Sequence, residues 1–173
     1  MKGYERIRQE LTRRGLDAIY VHSMVNRRFA TGFFSSGGLV IITQQNQYYM
    51  TDSRYIEAAS NRLPDFDVKL MDADHPYKSL VMEVVEKEGI KQMCFEEGLV
   101  SWADYQWIKD TFPVELVPAQ SVFSSLRAIK QPEELEAMVR AQRIAEAAFE
   151  ETLKIIKPGV TEKDIAAELI YRM

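Results

Sequence analysis

The chain has one cysteine, two histidines and no long apolar run, and each scarcity excludes a class of function. A single cysteine, Cys94, cannot form an internal disulfide and suits a reducing compartment. It lies in the apolar stretch KQMCFEE, where a buried, inert thiol is expected. The histidines, His22 and His75, stand far apart in no HxxH or HxxE pattern. The sequence therefore offers no histidine-based hydrolytic metal site. A GxSxG elbow, a phosphate loop, a Cys/His arrangement and a glycine-rich cradle are missing too. No window approaches the roughly 18 apolar residues of a membrane span. The opening MKGYERIRQELTRRGLD lacks the apolar core of a secretory signal. A cytoplasmic location and no membrane partner are expected. Positive charge is also in short supply: the net charge is −4. That balance argues against binding to a nucleic-acid backbone, and the clusters Arg13-Arg14 and Arg27-Arg28 read as solvated edges.

What is present is ordinary for a globular protein, with 46% hydrophobic and 28% charged residues. Tyr4, Ile7, Arg8 and Leu11 share a helical face that Gly15 terminates. LDAIYVHS reads as a strand, and GGLVIITQQNQYYMTD as two strands around a turn at Gln45-Asn46. SRYIEAASNRL has helical spacing up to Pro64, FDVKLMD alternates like a strand, and HPYKSLVMEVVEKEG is a helix between Pro76 and Gly89. KQMCFE and VELVPA are strands on either side of SWADYQWIKDTF, a helix with a capping box of Ser101 and Asp104. This alternation predicts an α/β fold, a mixed β-sheet flanked by helices.

The pattern changes at SVFSSLRAIKQP. From Pro132, residues Leu135, Met138, Val139, Ala145, Ala148, Phe149, Thr152 and Ile156 form one apolar stripe that ends at Lys157-Pro158-Gly159. Thr161 and Asp164 then cap a further helix carrying Ile165, Leu169 and Ile170. A boundary is placed near Lys130. A stripe of that length faces a core, and little sequence remains to build one, so the chain is expected to be the front part of a larger protein.

Three segments together resemble the creatinase/prolidase family of proline-specific pita-bread metallopeptidases: NRRFATGF (26–33), YYMTDSRYIEAA (48–59) and the long run from Leu126 to Leu169. The resemblance implies a creatinase/prolidase N-terminal domain over residues 1–130 and the opening helices of an incomplete catalytic domain over 131–173. It also implies two divalent metal ions (Mn, Co or Zn), bound by two aspartates, one histidine and two glutamates, all beyond Met173. No metal ligand or catalytic residue is carried over to this chain. The implied partners are a second copy in a dimer, the catalytic domain absent from this chain, and short proline-containing peptides.

The N-terminal domain of the family lends side chains to the rim of an active site, which makes Asn26, Arg28, Phe29, Phe33, Arg54 and Tyr55 the substrate-rim candidates. The first four are read as a loop after a strand end, a usual place for functional residues. An arginine at position 54 would grip a substrate carboxylate bidentately. The plainer alternatives are that Asp52 caps a helix and pairs with Arg54, that Tyr55 packs, that Asn26 anchors a turn and that Gly32 takes an unusual backbone angle. Trp102 with Tyr105 or Trp107 reads as core or interface packing. Competing with the peptidase reading are a catalytically inactive relative that binds proteins or peptides, as a histone chaperone subunit of this fold does, and a small-molecule-binding α/β domain.

Overall fold

The computed structural model describes residues 1–173, except for the side chain of Gln120. It divides into two units, Met1–Ala128 and Ile129–Met173.

The first unit is built on one six-stranded sheet of β1 (Ala18–Val21), β2 (Leu39–Thr43), β3 (Gln47–Thr51), β4 (Asp67–Leu70), β5 (Gln92–Phe95) and β6 (Glu115–Pro118), in the order β4-β3-β2-β1-β5-β6. The hairpin makes β2 antiparallel to β1 and β3, with Tyr20 opposite Ile41 and Val40 opposite Tyr49. The pairs β1/β5, β5/β6 and β3/β4 are parallel. The sheet is mixed and flanked by helices, as the alternation of elements implied.

Helices cover both faces, and for that reason the central strands carry almost no polar residues. The helices of this unit are α1 (Gly3–Arg14), α2 (Met24–Thr31), α3 (Ile56–Arg62), α4 (Tyr77–Glu88), α5 (Trp102–Thr111) and α6 (Gln120–Ala128). Side chains alternate along β1. Ile19 and Val21 pack with Ile7 and Leu11 of α1, Ala30 of α2, Ala59 of α3 and Phe123 of α6. Ala18 and Tyr20 point the other way, toward Leu80, Val81 and Val84 of α4 and Ile108 of α5.

Two stretches differ from the sequence reading. Residues 24–31, expected to be a loop, form α2: the Ser23 hydroxyl caps it by accepting from the Asn26 N–H at 3.3 Å. Its inward face consists of Asn26, Arg27 and Ala30, so no apolar stripe announces it. Asp52 does not cap α3, whose N-cap is Tyr55. Instead its Oδ1 accepts from the Arg54 N–H at 3.0 Å in a tight side-chain turn.

The second unit contains α7 (Pro132–Leu153) and α8 (Glu162–Arg172). Glu134 accepts from the Gln131 N–H at 2.7 Å to start α7. Beyond Leu153 the bonding tightens to three-residue spacing, from Ile155 to Thr152 and from Ile156 to Leu153, so the helix stops short of Lys157. Thr161 and Asp164 cap α8 reciprocally, as expected. Arg172 of α8 reaches Glu151 of α7 at 3.9 Å. On α7, Leu135, Met138, Val139 and Phe149 are exposed. No helix among the described residues is long and apolar enough to cross a membrane.

Candidate functional site

The first unit contains a cleft of about 580 Å³ beside the ends of β1, β3 and β4 and the start of β2. Tyr20, Leu39, Met71, Val100, Trp107 and Ile108 give it apolar walls. Its polar lining comes from His22, Arg27, Ser36, Asp52, Arg54, Tyr77 and Asp104. The ends of parallel strands are where open α/β sheets present ligand sites.

The loop Phe33–Gly38 shapes one side. Gly38 has φ 128°, and a Cβ there would lie 3.0 Å from the Tyr49 hydroxyl and 3.1 Å from the Met50 carbonyl oxygen. The loop can therefore lie close on β3 only with glycine at this position. Ser35 and Tyr49 join their hydroxyls at 2.6 Å beneath it. Arg27, expected at a solvated edge, is buried instead and holds the loop from within. Its guanidinium donates to the carbonyls of Gly38, Ser35 (3.2 Å) and Ser36 (3.4 Å). Its Nε has no partner.

Beside this loop, against Gly37, Arg54 donates to Asp52 through Nε at 3.0 Å and Nη2 at 2.7 Å. The guanidinium beside Asp52 holds its carboxyl below the usual carboxylate range. Arg54 also stacks on Tyr55, with 5.4 Å to the ring centroid. The Tyr55 hydroxyl meets the Ser36 hydroxyl at 2.8 Å, which lowers the pKa of the phenol from its ordinary value. Burial raises the Tyr77 phenol.

The six rim candidates thus separate. Arg54 lines the cleft, and Tyr55 is tied to its Ser36 wall. Phe33 is buried against Tyr49, ring to ring at 5.8 Å and nearly perpendicular. Phe29 is half-buried with the Arg6 guanidinium over its ring, and Arg28 is exposed over Phe34. Asn26 is buried and bonded rather than displayed: its amide donates to Glu96 at 2.6 Å and its Oδ1 accepts from Arg127 at 3.2 Å.

Glu96, which the sequence did not single out, is fully buried at the end of β5. It accepts from the His22 N–H at 2.7 Å, the Ser23 N–H at 2.8 Å and the Ser23 hydroxyl at 2.6 Å, besides Asn26. Four donors aimed at one carboxylate compensate its desolvation and fix the turn from β1 into α2. Trp107 and Trp102 are not core residues, at 44% and 74% exposure. Trp107 leans edge-on against Phe112 and walls the cleft. His22 is exposed and stacks on Tyr20, while His75 is exposed beside Asp72. Cys94 is buried, and burial pushes its thiol up to about 11.

Comparison with known proteins places this architecture in a class. Residues 4–129 match the creatinase/prolidase N-terminal domain, and residues 136–173 match the metallopeptidase family M24. The peptidase YqhT of Bacillus subtilis is 31% identical over 170 residues, covering 98% of this chain and 48% of that protein. Among solved structures, an Xaa-Pro dipeptidase from Bacillus anthracis superposes with a TM-score of 0.90 at 29% identity, over 98% of this chain and 47% of that one. An Xaa-Pro aminopeptidase P from Streptococcus thermophilus aligns over 71% of this chain and 94% of its own, at 31% identity and a TM-score of 0.63. The chain belongs to the creatinase/prolidase family, and what it carries is the family's N-terminal domain. It spans about half the length of the full-length relatives it matches.

Proposed function

We propose that this chain is the N-terminal, non-catalytic part of a proline-specific metallopeptidase of the Xaa-Pro dipeptidase or aminopeptidase P type. It serves dimer assembly and the gating of short proline-containing peptides in the cytoplasm. The observation that carries the reading is the order of the two family matches, an N-terminal domain over 4–129 followed by the start of an M24 sequence at 136. In this reading residues 131–173 open the catalytic domain, and the exposed apolar side chains of α7 are the face that the domain covers.

The two divalent ions of such an enzyme supply an activated water for attack on the peptide bond. The residues present do not fit them: no cluster of three or more His, Cys, Asp or Glu side chains among the described residues could hold a metal. No step of hydrolysis is assigned to this chain. Its contribution is the rim, where Ser36, Arg54 and Tyr55 form a polar ridge beside the cleft. Asp52 already occupies two of the five N–H donors of Arg54, so a substrate carboxylate would be gripped through the three that remain.

The test is activity. The purified chain, supplied with Mn, Co or Zn, is expected to leave Xaa-Pro dipeptides and longer Xaa-Pro peptides intact. Chelator-sensitive hydrolysis that co-purifies with the chain would overturn the non-catalytic role.

A further inference from the structure

The cleft in the first unit is lined by two arginines and two aspartates, and one of the arginines, Arg27, has no carboxylate partner. Arg27 is 4% exposed and bonds only to carbonyl oxygens, with its Nε unpartnered. A buried guanidinium without a carboxylate is costly, and an anion nearby relieves that cost. The two acidic side chains of the lining are already engaged. Asp52 is bound by Arg54, and Asp104 accepts from the Ser101 hydroxyl at 2.6 Å. The Tyr77 phenol feels the charges of Arg27, Arg54 and Asp52 but takes part in no hydrogen bond with the described residues. Burial raises its pKa, which keeps it a protonated donor at neutral pH.

We propose that this cleft binds a small monocarboxylate with an apolar or aromatic body. Tyr77 donates to the carboxylate, Arg27 and Arg54 supply the neutralising charge, and the body rests against Trp107 and Met71. Because Asp52 already pairs with Arg54, the Tyr77 hydroxyl and the Arg27 guanidinium suit a single negative charge, whereas a phosphate dianion calls for more donors. A volume of about 580 Å³ falls within the range of small-molecule sites. The site lies wholly in the first unit and does not rest on the peptidase reading.

Titration of the isotopically labelled 173-residue chain with phenylacetate, and separately with phenylacetamide, tests the proposal. Phenylacetate is expected to shift the amides of Ser36, Gly37 and Tyr77 and the Trp107 indole, and to bind at least ~tenfold tighter than the amide. Added salt weakens the carboxylate and leaves the amide unchanged. Tyr77→Phe removes a hydroxyl with no structural bond and is expected to lower phenylacetate affinity ~5–10-fold. Arg54→Gln removes a charge and frees Asp52, so it lowers phenylacetate affinity while phenylacetamide binding stays constant. Equal affinity for the two probes would overturn the proposal and leave a merely apolar cleft. So would shifts confined to residues outside the cleft, or no shift at about 10 mM phenylacetate, a concentration that detects even millimolar affinity.

Discussion

The two units of this chain use similar side chains to opposite ends. In the first, Ile19, Val40, Ile42 and Met93 are wholly buried between helices on both faces of a sheet. In the second, Leu135, Met138, Val139, Ile144 and Phe149 are each about half exposed on α7, although the helix is well capped and long. The difference shows that amphipathic spacing specifies a helix and a face but not what covers the face. In the first unit the chain supplies its own cover within 128 residues. In the second, the reading proposed above assigns that cover to a catalytic domain.

Truncations in the two units should break this symmetry most sharply. Glu96→Ala leaves four donors without their acceptor, among them the buried Asn26 amide, and is expected to destabilise the first unit by about 3–5 kcal/mol. Ile42→Ala, at 0% exposure, is expected to cost ~2–5 kcal/mol in transfer and cavity terms. Met138→Ala, at 53% exposure, is expected to change stability by less than ~0.5 kcal/mol. Urea denaturation of the three variants checks the order. A Met138→Ala cost comparable to that of Ile42→Ala would mean that α7 is covered in the isolated chain.

A smaller effect sharpens the contrast between buried and surface electrostatics. Glu10 of α1 accepts from Arg13 at 2.6 Å and 2.8 Å and from Arg14 at 2.7 Å. The Arg13 hydrogen bonds are the main cause of its pKa falling from 4.5 to about 2. A depressed carboxylate contributes stability that is present in full above its unfolded value and lost as pH falls through its folded value. Glu10→Gln is therefore expected to cost less than ~1 kcal/mol at pH 7, since Arg13 is 68% exposed and the pair is screened. The gap between variant and parent should narrow below pH 4.5 and close near pH 2. A gap independent of pH would assign the effect to packing of the side chain.

Most of the sheet was legible because its strands alternate with helices that carry local stops. The capping pairs Ser101 with Asp104 and Thr161 with Asp164 stand where the sequence put them, and Gly15 and Gly89 end their helices. Helix α2 was not legible because it turns Asn26 and Arg27 inward in place of apolar side chains. The same feature hid Arg27 behind its neighbour. In a loop, adjacent arginines are equivalent, whereas a helix turns them about 100° apart, so that here Arg27 is buried and Arg28 exposed. Glu96 was invisible for another reason. Its partners lie 70 to 74 residues away in sequence, and only the parallel pairing of β1 with β5 brings them together. The cleft has the same origin, since its lining is drawn from elements that no local pattern connects.

The reading proposed above puts this domain at the front of a longer peptidase. The most direct measurement is the intact mass of the native protein captured from its source cells with an antibody against residues 1–128. The account expects a mass well above 20.0 kDa, with the 173-residue sequence at its N-terminal end. A mass of 20.0 kDa would contradict it and make a binding or assembly role the working explanation of the fold.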